Sequence, residues 1–294
     1  MEIGIGTGKP IGPRRLARRL GGAASPVFSI CAMVTDWDEY AACLASFATR
    51  GFDDDQCEFI VLDNSQGNTA DAYVALNEFL QAASGRYVIL CHQDIVLLDH
   101  GIIVLEERLA ELTDLDPYWA VCGNAGYAED GWPQVNLAHG GRDYIDPGKL
   151  PARVVSLDEN FLVVRREANL AVSRDLQGFH HYGPDLCIVA DILGWNAYVI
   201  DFYLQHNSSG TVDDRYHQSR ERIAAKYQRA LRPRWISIVT MRPFLLSGWA
   251  LHHRIANVQH FGRKLFGLYP RGPHLADSKR RARRDAARSG RNGS

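Results

Sequence analysis

From Pro26 onward the chain alternates short uncharged apolar runs with amphipathic stretches and polar clusters. VFSICAMV (27–34) is β-rich and free of charge, the pattern of a strand buried on both faces of a parallel sheet. The spacing predicts a helix over 38–49, ended by Gly51, and a second buried strand at EFIVLD (58–63). A helix from Asn68 to Ala83 follows, with Ala72, Ala75, Leu76, Phe79 and Leu80 on one face and Gly85 as its stop. RYVILC (86–91) reads as a third strand, residues 99–113 as a helix and WAVCG (119–123) as a fourth strand. Strand–helix alternation of this kind predicts βαβ units. The expected fold is therefore α/β, a mostly parallel sheet flanked by helices.

Farther along, residues 124–152 are rich in Gly, Pro, Asn and Asp, and are expected to form a long loop region over a site. RVVSLDENFLVVRR (153–166) reads as two strands around the turn Asp158-Glu159. PDLCIVADIL (184–193) reads as a helix, with Pro184 in its first turn and Gly194 ending it. AYVIDFYL (197–204) reads as a last strand running into His206-Asn207-Ser208-Ser209-Gly210, and 215–231 as a charged helix. Polar clusters close three strands: Thr35-Asp36, Asp63-Asn64-Ser65 and His92-Gln93-Asp94. Open α/β sheets bind ligands along that edge. Neither GxGxxG after the first strand nor GxxxxGK[ST] occurs, which disfavours an NAD-type Rossmann domain and a P-loop NTPase.

Composition sets the class. The 294 residues are 46% apolar and 23% charged, as in a soluble globular protein with one large domain or two small ones. Disorder, collagen-like repeats and a disulfide scaffold are excluded. The net charge of -1 conceals +4 over residues 1–20, +6 over 271–294 and hence -11 between them. An acidic body with basic tails does not suit a nucleic-acid-binding domain. The first twenty residues lack an apolar h-region, and 1–25 are expected to be a flexible basic segment; 271–294 are expected to be a disordered basic tail. The six cysteines form no CxxC pair, so a reducing, cytoplasmic setting is expected, with no zinc site. The stretch WISIVTMRPFLLSGWAL (235–251) is broken by Arg242 and Pro243, too short and interrupted to span a bilayer. It reads either as a helical hairpin packed on the domain or as an interfacial segment. In the second case Trp235 and Trp249 would lie at headgroup depth, with nearby arginines on anionic lipid at the inner membrane face.

Asp94 and His206 both follow strands. One carboxylate and one imidazole suit Mn²⁺ or Mg²⁺, with diphosphate oxygens and water completing the shell. Each also has a plainer reading, as a turn cap or a hydrogen-bonded loop histidine. Asp185 after Pro184 is equally a first-turn acid. Asp158 and Glu159 are a rival acidic pair. Trp132, Tyr182 and Trp195 are candidates to stack on a sugar or to fill the core.

The strings VLDNSQGN, YVILCHQDI, GFHHYGPDLC and HNSSG, in that order, resemble the GT-A-fold glycosyltransferases of the family 2 type. The similarity covers residues 26–212 and points to the branch with His-Gln-Asp in place of Asp-x-Asp. It implies a GT-A domain over 26–212; residues 213–270, outside the resemblance, are expected to be a C-terminal helical extension. It further implies a nucleotide-sugar donor, an acceptor hydroxyl on a glycan, lipid-linked sugar or small molecule, and metal-dependent, inverting transfer. Carried over by position, Thr35, Asp36, Asp63, Asn64, His92 and Gln93 would meet the donor nucleotide. Asp94 and His206 would hold the metal, and Asp185 would be the catalytic base. Asp158, Glu159, His180 and His181 are candidates for acceptor or sugar contacts. Single displacement would place Asp185 and Asp94 on opposite sides of the sugar. A non-catalytic nucleotide- or glycan-binding protein of the same fold is the alternative.

Overall fold

β1 (Arg18–Gly22), β2 (Phe28–Val34), α1 (Trp37–Thr49), β3 (Cys57–Asp63), α2 (Ala72–Ala82), β4 (Tyr87–Cys91), β5 (Ile95–Leu97), α3 (Ile102–Leu115) and β6 (Trp119–Gly123) form the expected alternation. β7 (Ala125–Tyr127), β8 (Pro133–His139), β9 (Arg142–Asp146), β10 (Ala152–Val154), β11 (Ser156–Leu157) and β12 (Phe161–Arg165) come next. α4 (Tyr182–Ile192), β13 (Asn196–Val199), β14 (Leu204–His206), α5 (Asp214–Ala230), β15 (Arg234–Ile236) and β16 (Phe244–Leu246) complete the order. This computed structural model describes residues 17–23, 25–139, 142–146, 148–208, 213–236, 244–249 and 251–252. The chain divides into two units, 1–224 and 225–294.

In the first unit an eight-stranded sheet runs β1-β3-β2-β4-β12-β6-β13-β10. β2 pairs in parallel with β3 and β4, and β6 with β13, while β12 enters antiparallel between β4 and β6. β2, β3, β4, β6 and β13 thus share one direction, so the α/β fold stands, with β1, β10 and β12 running against them in a mixed sheet. Alternate residues of β2 serve opposite faces: Cys31 joins the core under α2 and α4, whereas Phe28, Ile30, Ala32 and Val34 join the core under α1 and α3. Asp36 caps α1 by accepting from the amides of Asp38 (2.9 Å) and Glu39 (3.1 Å), and Asp71 caps α2 by accepting from Val74 (3.0 Å). All six cysteines are buried and free.

Four expectations are corrected. Residues 124–152 are not one long loop: β7, β8 and β9 build a second sheet, ordered β11-β7-β8-β14-β5 with β9 beside β8. β7–β8 and β8–β9 are local antiparallel pairs whose short strands a composition rich in turn formers conceals, and β11 and β14 join them from farther along the chain. The run 197–204 is not a single strand. β13 ends in the large sheet and β14 begins in the second, carrying His206 across. Within 1–25, Arg18–Gly22 is an edge strand on β3 rather than flexible chain. In the second unit Trp235 and its neighbours pair as β15 with β16, not as a helical hairpin, so the described part of the extension over 213–270 is not all helical. Trp235 and Trp249 are 46% and 71% exposed. Residues 1–16, 209–212, 237–243 and 253–294, including the 271–294 tail, lie outside the described residues. Among the described residues no helix is long and apolar enough to cross a membrane.

Candidate functional site

The parallel strands deliver their polar ends to one edge, where the sheet's carboxyl ends open. Gln93, just past β4, braces that edge. Its Oε1 accepts from the backbone amides of Thr35 (2.7 Å) and Asp36 (3.0 Å), and its Nε2 donates to Thr35 Oγ1 (2.9 Å) and Glu39 Oε2 (2.7 Å). Asn64 pins the turn after β3. Its Nδ2 donates to the carbonyl of Ala70, and its Oδ1 accepts from the Thr69 amide and hydroxyl. Asp63 Oδ1 accepts from the Ser65 amide (3.0 Å) and hydroxyl (2.6 Å), which holds its carboxyl below the usual range. The side chains of Gln93 and Asn64 are thus largely committed to structure. Between these ends lies a cavity of about 320 Å³. Thr35, Glu39, Asn64, His92, Gln93, Asp94 and Ser208 form its polar wall, and Cys31, Leu76, Phe79 and Leu90 its apolar floor.

His92, Asp94 and His206 converge beside it. Their ligand atoms lie within 4.8 Å of one another. His206 Nε2 stands 3.1 Å from His92 Nδ1, 3.4 Å from Asp94 Oδ1 and 3.1 Å from Ser208 Oγ. Both rings are oriented from behind: His206 Nδ1 faces His139 Nδ1 at 3.1 Å, and His92 Nε2 faces the Tyr182 hydroxyl at 2.8 Å. Burial, then the neighbouring His206 ring, pushes His92 down to about 4, so it is neutral at physiological pH. Burial alone would raise Asp94, but the His206 ring and the Ser208 amide outweigh it and hold the carboxyl well below its usual range. Two neutral-capable imidazoles and an ionised carboxylate are a fitting donor set for a divalent cation that accepts both nitrogen and oxygen. Mn²⁺ suits it better than Mg²⁺, which favours oxygen alone.

The structure brings His92, anticipated as a nucleotide contact, into the group that could hold a metal ion. It places Asp185 apart from that group. That residue has no exposed surface, and its two oxygens accept from the Ser173 amide and hydroxyl, each at 2.7 Å. It lines neither this cavity nor its neighbour. Asp185→Ala removes the acceptor of the Ser173 amide. Loss of that hydrogen bond is expected to cost about 1–3 kcal/mol of stability, read from the urea midpoint.

Asp158, Glu159 and His181 line a second cavity, of about 440 Å³. His180 does not; its carbonyl accepts from the hydroxyls of Tyr73 and Ser219, and its ring meets Tyr216 edge to face. His139 was not anticipated. It ends β8 as His206 ends β14, and the two strands pair in parallel with these histidines in register. Reading 133–139 as a strand would have exposed it.

No protein-family model matches the chain. A relative, the ATP synthase subunits region ORF 6 protein of Fuscovulum blasticum, is 38% identical over 232 residues, covering 76% of this chain and 92% of that protein. Among solved structures, the mannosyltransferase PcManGT of Pyrobaculum calidifontis in complex with GDP-Man and Mn²⁺ is 15% identical, with a TM-score of 0.44. That match covers 69% of this chain and 64% of that one. GalNAc-T7 with UDP, GalNAc and Mn²⁺ is 11% identical, with a TM-score of 0.47, over 69% of this chain and 48% of that one. The chain spans less than two thirds of both, and with TM-scores below 0.5 neither likeness bears on the site.

Proposed function

We propose that this chain, which belongs to the family of the Fuscovulum blasticum ATP synthase subunits region ORF 6 protein, is a GT-A-type glycosyltransferase that moves a sugar from a nucleotide-sugar donor to an acceptor hydroxyl. One observation carries the reading: His92, Asp94 and His206 converge at the carboxyl edge of the parallel strands, against a cavity walled by the ends of β2, β3 and β4. That is where an open α/β sheet places a ligand. The order of the strand-end strings, which resembles family 2, points the same way.

His92, Asp94 and His206 would hold the divalent cation. When bound, it neutralises charge developing on a departing diphosphate. The chain's own residues do the rest. Tyr182 and His139 orient the two imidazoles so that His92 Nδ1 and His206 Nε2 face the cluster. Gln93 locks the β2 and β4 ends into one rigid edge, with Thr35 between them. Asp63 stays ionised at the end of β3, a position suited to accept from ribose hydroxyls. Transfer proceeds by single displacement with inversion.

Thermal melting with UDP, GDP, CDP and dTDP, each with and without Mn²⁺, tests the reading. One nucleotide is expected to raise Tm only when Mn²⁺ is present, because a ligand that binds the native state alone stabilises it. No shift with any nucleotide, together with no Mn²⁺ binding, would falsify it.

A further inference from the structure

Two cavities meet at one side chain. Among the described residues Glu159 alone lines both the 320 Å³ cavity beside His92 and Asp94 and the 440 Å³ cavity formed by β7, β8, β11 and the start of α4. The second cavity combines the rings of Tyr127 and Tyr216 with Asp158, His139 and His181. Aromatic faces for C–H edges and scattered polar groups for hydroxyls are the lining that a sugar requires.

We propose that Glu159 is the general base of the transfer and that the second cavity receives a carbohydrate acceptor. The assignment rests on the glycosyl-transfer reading above. The acceptor oxygen bonds to the anomeric carbon of the donor sugar. The bond from that carbon to the diphosphate oxygen breaks, and its electron pair leaves with the nucleoside diphosphate. The hydroxyl proton passes to the Glu159 carboxylate.

Three observations support it beyond position. Glu159 is aimed by the backbone: its Oε1 accepts from the Gly183 amide at 3.1 Å, in the first turn of α4. The close approach requires glycine, since a Cβ at 183 would sit 2.4 Å from the Leu157 carbonyl oxygen and 3.1 Å from Glu159 Cγ. Burial, which outweighs the amides of Gly183, Tyr182 and His181, and the neighbouring Asp158 charge push the carboxyl up to about 8, so it is strongly basic for a carboxylate and its proton-accepting ionised form grows as pH rises through that value. Finally, the rival acid Asp185 is sealed behind Ser173.

The test uses full-length protein, the sugar nucleotide of whichever base raises Tm, and a panel of methyl glycosides as acceptors. Glu159→Gln is expected to keep the Mn²⁺-dependent nucleotide shift and to lose at least about 100-fold in transfer to hydroxyls. Azide needs no deprotonation, so it should restore nucleoside diphosphate release in the variant. Gly183→Ala, which displaces the same carboxylate, should lower kcat more than it raises the donor KM. It serves as the second variant if Glu159→Gln folds poorly. Hydroxyl transfer retained within about threefold in Glu159→Gln overturns the proposal, as does the loss-and-azide-rescue pattern appearing in Asp185→Asn instead. A wild-type protein with no sugar-nucleotide turnover overturns the glycosyl-transfer reading and this assignment with it. Turnover in wild type with no loss in either variant overturns the base alone.

Discussion

Asp94→Asn is expected to abolish the Mn²⁺-dependent stabilisation by nucleotide and to weaken Mn²⁺ itself by about 100-fold or more. Even partners behind the ligands commonly cost 10–100-fold. The substitution keeps the side chain's volume but removes its charge. His206 Nε2 then faces an amide instead of the carboxylate oxygen now 3.4 Å away. The ionised state of Asp94 is maintained by the His206 ring and by the Ser208 amide at 3.0 Å, so at neutral pH the wild-type cluster offers one full negative charge between two imidazoles. His206→Ala should give the same loss by removing the central ring, with Asp94 still ionised. Calorimetric titration of Mn²⁺ into each variant decides the matter, with the ligand-free Tm as the check on folding. Unchanged Mn²⁺ affinity in both variants would show that the three residues are a hydrogen-bonded cluster and no more.

The second large effect concerns the fold. Glu58 lies inside β3 with no exposed surface. Its carboxylate accepts from the Ser29 hydroxyl on β2 and from the Ser84 amide (2.6 Å) and hydroxyl (2.9 Å), and it pairs with Arg19 of β1. It therefore ties three strands and the turn before β4. Glu58→Ala leaves those donors facing a void, and about 3 kcal/mol of stability should be lost, the lower end for breaking a buried ion pair. Burial by itself would raise this carboxyl, but the two serines and Arg19 prevail and lower it below 4.5. A lowered folded value means that the ionised form is the one favoured by folding. Its contribution is complete above pH 4.5 and is lost as pH falls through the folded value. Wild type should thus lose stability on acidification below about pH 4.5, with Glu58→Gln showing a shallower decline. Urea midpoints for both proteins between pH 7 and 3 test this; parallel pH profiles would refute it.

Glu58 shows where local pattern stops being informative. EFIVLD reads as a buried strand because four of its six residues are apolar, and the strand is there; nothing nearby in sequence announces that its acid is matched by Ser29 and Arg19 from other strands. The same holds at the site. Thr35, Asp63, Asn64, His92, Gln93 and Asp94 were legible as strand-end residues, since a strand's carboxyl end fixes the edge at which its next residues emerge. His206 was legible on the same ground. His139 was not, because β8 lies in a stretch whose Gly, Pro and Asn content imitates a loop, and its strand character comes from pairing with β7, β9 and β14. Asp185 reads as a site residue only through the family resemblance, since its helix N-terminal position alone suits a plain first-turn acid. Whether that position opens to a cavity or to Ser173 depends on how α4 packs.

The apolar runs of β2, β3, β4 and β6, the helix caps at Asp36 and Asp71 and the polar clusters after the strands are properties of neighbouring residues, and the chain carries them wherever it goes. They sufficed for an α/β fold with polar strand ends along one edge. Pairing across more than a hundred residues is a different matter. The approach of His206 to His92, the burial of Asp185, the shared wall at Glu159 and the switch of the chain from β13 to β14 each depend on which surfaces meet after collapse. Those choices rest on packing and on satisfying buried polar groups, energies that belong to pairs of distant segments, and only the folded chain settles them.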